Sequence, residues 1–127
     1  MAGEASFDLA AAGIRFDGAE LAVAVEVLAR KLELALPHAT RVTRRGKRFL
    51  SKEKVVEAIE VTLGEGRYAL RVRGREVDAE RAQEVRGVVI KRQPLALDAW
   101  IQALTGELGE QAQTSAGARE ALARLLD

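Results

Sequence analysis

Two short glycine-led turns, Gly64-Glu65-Gly66 and Gly74-Arg75-Glu76, constrain this chain more than any other feature. Neither leaves room for a crossover, so the segments they join must pair antiparallel. The flanking segments have the matching period of two. In Val55–Leu63, Ile59, Val61 and Leu63 fall on one face, and Ala58, Glu60 and Thr62 on the other. In the next segment Tyr68, Leu70 and Val72 alternate with Ala69, Arg71 and Arg73. Both therefore read as strands. Thr40–Arg45 is a shorter β-branched stretch of the same kind, and Val85–Lys91 reads as a further strand with Gly87 as a bulge or close backbone approach. Val77–Glu84 is ambiguous, being short yet composed of helix-friendly residues, and Pro94 breaks the sheet pattern.

Helical periods bracket this run. Asp17 with Glu20 forms a capping box, and Phe16 with Leu21 a hydrophobic staple. Leu21, Val25, Leu28, Leu32 and Ala35 then share one face, which Val23, Val27 and Leu34 widen, leaving Glu26, Arg30 and Glu33 for solvent. Pro37 ends this helix near Leu36. After Pro94, Leu97, Trp100, Ile101, Leu104 and Leu108 recur at helical spacing, with Leu95 and Trp100 as a second staple and Asp98 in the first turn. Gly106 and Gly109 weaken this helix and predict an end or bend near Gly109. Thr114 or Ser115 caps a last helix carrying Ala118, Leu122, Leu125 and Leu126.

The order is helix, strands, helices, which is the signature of an α+β fold. The expectation is an antiparallel meander of three to four strands, preceded by one helix and followed by two, with the helices packed on one sheet face. Residues 1–15 read as a flexible or loosely docked segment, and 16–127 as a single α+β domain. At 127 residues and 48% hydrophobic composition the chain has enough apolar surface for one core. The stretch Leu21–Pro37 carries Glu26, Arg30, Lys31 and Glu33, so it does not suit a bilayer, and no targeting pattern is visible. A cytoplasmic location and no membrane partner are expected.

The residue inventory narrows the chemistry. With no cysteine, disulfides, thiolate zinc sites, iron–sulfur clusters and cysteine nucleophiles are excluded. His38 is the single histidine, and no acid lies between Glu33 and Glu53 to orient it as a base. Gly64-Glu65-Gly66 lacks the third glycine and following helix of a dinucleotide loop. Glu57, Glu60, Asp78, Glu80 and Glu84 follow no metal-loop spacing. No catalytic residue, metal ligand or cofactor is assigned, and the chain reads as non-enzymatic.

Two features point to binding. Residues 39–54 hold Arg41, Arg44, Arg45, Lys47, Arg48, Lys52 and Lys54 against Glu53, seven cations minus one acid, or +6. Such a cluster suits a nucleic-acid or anion surface centred on Arg41, Arg44, Arg45, Lys47 and Arg48, with Phe49 the one aromatic available to stack. It equally suits charges that guard an edge strand against pairing with other chains. The second feature is a surplus of apolar helical face. The sequence marks Trp100, Leu104, Leu108, Leu122 and Leu125 as a candidate assembly surface, although Trp100 also suits a core. The leading expectation is a non-catalytic binding or adaptor protein, a homo-oligomer or a partner of another protein; the alternative is nucleic-acid or anion binding through the basic segment.

Overall fold

The computed structural model describes residues 18–46 and 54–127. The segment 1–15, the Phe16 and Asp17 halves of the staple and capping box, and Lys47, Arg48, Phe49 and Lys52 lie outside the described residues. Helix α1 spans Gly18–Ala35. Five strands follow: β1 (Thr40–Gly46), β2 (Lys54–Leu63), β3 (Gly66–Arg73), β4 (Glu76–Val85) and β5 (Val88–Leu95). Helices α2 (Leu97–Ala112) and α3 (Ala116–Leu126) complete the chain. The sheet is an antiparallel meander in the order β1-β2-β3-β4-β5, and the helices pack on one of its faces.

The hairpins follow from their turn residues. Leu63 pairs with Gly66 across Gly64-Glu65, and Arg73 with Glu76 across Gly74-Arg75. Gly64 and Gly74 have φ of +56° and +61°, the left-handed conformation that the first position of a two-residue hairpin turn requires. Val85 pairs with Val88 across Arg86-Gly87, where both φ values are positive. Gly87 is thus a turn residue rather than a bulge. That turn moves the start of the expected Val85–Lys91 strand to Val88, and the fifth strand, beyond the three to four expected, is β4. Val77–Glu84 resolves as β4 because β3 and β5 pair it on both sides, overriding its helix-friendly composition. Pro94 lies inside β5 opposite Glu80, where an edge position leaves no ladder bond for its missing N–H to lose.

One core fills the space between sheet and helices. Ile59, Val61, Leu63, Tyr68 and Leu70 from the central strands meet Leu21, Val25, Leu28 and Leu32 of α1, Trp100, Ile101, Leu104 and Leu108 of α2, and Leu125 of α3. Each such large side chain stabilises the fold by roughly 1.5–3 kcal/mol when buried. Trp100 is fully buried, edge-on to Tyr68 with ring centroids 6.0 Å apart, and its indole N–H donates to the Glu80 carbonyl at 3.1 Å. Leu95 and Trp100 join the same cluster. Helix α2 runs through Gly106 and Gly109 to Ala112, because packing of Leu104 and Leu108 outweighs the glycine cost. Ser115 caps α3, its hydroxyl accepting from the Ala118 N–H at 3.1 Å.

Candidate functional site

Strand alternation divides the basic segment. Along β1, Val42 and Arg44 face the helices, while Arg41, Thr43 and Arg45 face outward. The Arg44 guanidinium donates to the carboxylates of Glu26 and Glu33 on α1, each at 2.9 Å from Nη2. These hydrogen bonds, Glu33 first and Glu26 next, push the Arg44 pKa further up. The bond from Arg44 in turn holds Glu26 below its ordinary carboxylate range, against the opposing effect of burial. Arg44 is therefore a tie between β1 and α1. Arg41 and Arg45 are exposed, and Lys47 and Arg48 lie outside the described residues. A count of charge along the chain misses this split; the period of two carries it.

The expected assembly residues also have definite places. Trp100, Leu104, Leu108 and Leu125 are buried in the chain's own core, and Leu122 is half-buried against it. An apolar surface is exposed elsewhere. Val23 (64%), Val27 (46%) and Leu34 (72%) stand open on α1, and Arg30 completes their line. With 3.6 residues per turn, these four lie half a turn away from Leu21, Val25, Leu28 and Leu32. They do not widen the buried stripe; they form a second ridge on the opposite side of the helix. Glu26 and Glu33, expected in solvent, flank it and hold Arg44.

A polar cluster joins the sheet to α2. Arg81 and Tyr68 are opposite one another on β4 and β3, and both face the helices. The Tyr68 hydroxyl donates to Glu107 Oε1 at 2.5 Å, and Arg81 Nη2 lies 3.0 Å from the same oxygen. Burial, then the bond to Glu107, pushes the Tyr68 pKa up to about 12. A phenol shifted that way stays protonated at neutral pH and supplies no phenolate, so its position suits a latch. Among the described residues no group of three or more His, Cys, Asp or Glu is placed to hold a metal ion. His38 is exposed in the turn after α1.

The outward sheet face holds a groove of about 590 Å³. Its floor is low because Ala58 and Ala69 occupy the outward positions of the central strands β2 and β3. Thr43, Arg41, Arg71 and Pro94 line its sides and ends. Its acids are already paired: Asp78 with Arg73 at 2.9 Å, Glu80 with Arg92 at 2.7 Å and Glu60 with Arg67 at 3.7 Å. Neither Arg41 nor Arg71 has an ion-pair partner among the described residues.

Among the described residues no helix is long and apolar enough to cross a membrane. Compared with known protein families, curated proteins and solved structures, the chain finds no match.

Proposed function

We propose that the protein is a non-catalytic cytoplasmic binding protein that assembles with a second copy of itself through the exposed ridge of α1. The observation that carries this reading is the exposure of Val23, Val27 and Leu34 on one line, opposite the stripe that already builds the core. Their positions, with Arg30, are spaced four, three and four apart. That spacing is the same read from either end, so a reversed copy presents an identical seam. Val23 then faces Leu34 of the second copy, and Val27 lies beside the aliphatic stem of Arg30. Each Arg30 keeps its own Glu26 at 2.9 Å, so the pairing brings no uncompensated like charges together.

Strand-to-strand assembly is disfavoured by comparison. Edge β1 carries Arg41 and Arg45, and edge β5 carries Lys91, Arg92 and Pro94. Burying the six apolar ridge side chains contributes roughly 1–2 kcal/mol each, against an association cost of about 4–15 kcal/mol. At the favourable end of both ranges the surplus is about 8 kcal/mol, so a reversible dimer with a dissociation constant no tighter than about micromolar is expected.

Light scattering after size exclusion, run across a concentration series, tests the reading. The parent protein should move from monomer to dimer mass as concentration rises. Val27→Glu should remain monomeric, with its circular dichroism unchanged, because Val27 contributes little to the core. A parent protein that stays monomeric throughout, or a dimer indifferent to Val27→Glu and Leu34→Glu, overturns it.

A further inference from the structure

We infer that the outward groove of the sheet is a binding site for a small phosphomonoester, held by Arg41 and Arg71. Ion pairs balance most of the charge on this face. Arg67, Arg73 and Arg92 each pair with an acid, which leaves the acids of the groove neutralised. Arg41 and Arg71 are the two cations left over; because Arg67 is shared between Glu60 and Glu84, five arginines face four acids, a local surplus of +1.

Register then places these two side chains. Arg41 on β1 stands opposite Glu60 of β2, and Arg71 on β3 stands opposite Ala58 of the same strand. Two strand spacings, roughly 10 Å, separate their strands. Between them on β2 lie Glu60, opposite Arg41, and Ala58, opposite Arg71; the small Ala58 side chain leaves the space above it open. Long guanidinium arms reaching inward from β1 and β3 can therefore converge on one group above Ala58. Thr43, opposite Ala58 on the other side, adds a hydroxyl donor at the same level.

The chemistry of the ligand follows. A monoester phosphate carries close to two negative charges at neutral pH and three terminal oxygens. It can accept forked hydrogen bonds from two guanidinium planes at once, which a single carboxylate does less well. The groove volume falls in the range of small-ligand sites. An organic group attached to the phosphate would extend over Ala69 toward Glu80 and Pro94, which follow it across the sheet. The groove opens on the sheet face away from α1, so self-assembly through α1 leaves it accessible in both copies. The inference does not depend on that assembly.

The test is titration of the ¹⁵N-labelled protein with phenyl phosphate, with inorganic phosphate and with a single-stranded oligonucleotide lacking terminal phosphates. Saturable shifts centred on the Ala58 and Ala69 amides are expected with phenyl phosphate, and weaker binding with inorganic phosphate. The Arg41→Gln/Arg71→Gln double variant should lose at least about tenfold in affinity. Arg75→Gln, in the β3–β4 turn outside the groove, should bind as the parent does. Both variants change exposed side chains, so unchanged spectra away from the site will show that the fold is retained. Absence of saturable shifts at millimolar phenyl phosphate overturns the inference. So does binding that survives the double variant, an equal loss in Arg75→Gln, or tighter binding of the oligonucleotide. Inorganic phosphate binding as tightly as the ester overturns the assignment to an ester.

Discussion

Arg44 Nη2 stands 2.9 Å from Glu26 Oε2, joining the first strand to the helix that precedes it. A residue from the most basic stretch of the chain is thus withdrawn from the surface and made a structural tie. Removing it should cost stability and leave assembly alone. Arg44→Ala is expected to lower unfolding free energy by about 1–2 kcal/mol, since the pair is partly exposed and its bonds are charge-assisted. Urea denaturation at neutral pH measures this.

The same tie predicts a pH dependence. The folded-state pKa of Glu26 lies below its ordinary 4.5 because Arg44 donates to it. A carboxylate lowered in the folded state contributes its stability fully above the unfolded value, and loses it as pH falls through the folded value. The difference in urea midpoint between the parent and Arg44→Ala should therefore be widest near neutral pH and narrow below about 4.5. A difference that stays constant to pH 3 contradicts the assignment.

Gly66 has a reason beyond its turn. A Cβ there would stand 2.8 and 2.9 Å from the Glu107 carboxylate oxygens, which Tyr68 and Arg81 hold in place. Gly66→Ala should cost about 1–3 kcal/mol in the parent chain. In a Glu107→Ala background the same change should cost much less. The coupling in that double-mutant cycle is the readout, and additive effects would remove the latch from the account.

The β4–β5 turn holds an arginine where glycine or asparagine is favoured. Arg86 has φ of 53°, and Gly87 after it has φ of 83°. Arg86→Asn should raise stability by roughly 0.5–1 kcal/mol, because asparagine adopts this conformation at lower cost. Gly87→Ala should lower it. Thermal unfolding of both variants tests the pair of signs.

Much of the fold was legible because its signals are local. Gly64 and Gly74 name their turns, Ser115 names its cap, and alternation across Ile59–Leu63 and Tyr68–Val72 names two core strands. Strand β4 was not legible, since Ala79, Arg81 and Ala82 suit a helix until neighbours on both sides pair them. Pro94 misled because its tolerance depends on being at a sheet edge, which is a tertiary fact. The functional surfaces were less readable. Val23, Val27 and Leu34 have the same chemistry as the core stripe, and nothing in sequence says which face of α1 the sheet covers. Arg41 and Arg71 lie far apart in the chain and become neighbours of one groove only through the β1-β2-β3 register.

In the proposed dimer, two copies of α1 pair in reverse through the Val23–Leu34 ridge. The chain has no cysteine, so single cysteines report position without interference. The most direct measurement is cross-linking by a short bismaleimide of Val23→Cys mixed with Leu34→Cys, compared with each variant alone. Efficient covalent dimer in the mixture, and little in either variant alone, is expected. Equal cross-linking in all three samples, or none in the mixture at concentrations where light scattering shows dimer, would contradict it.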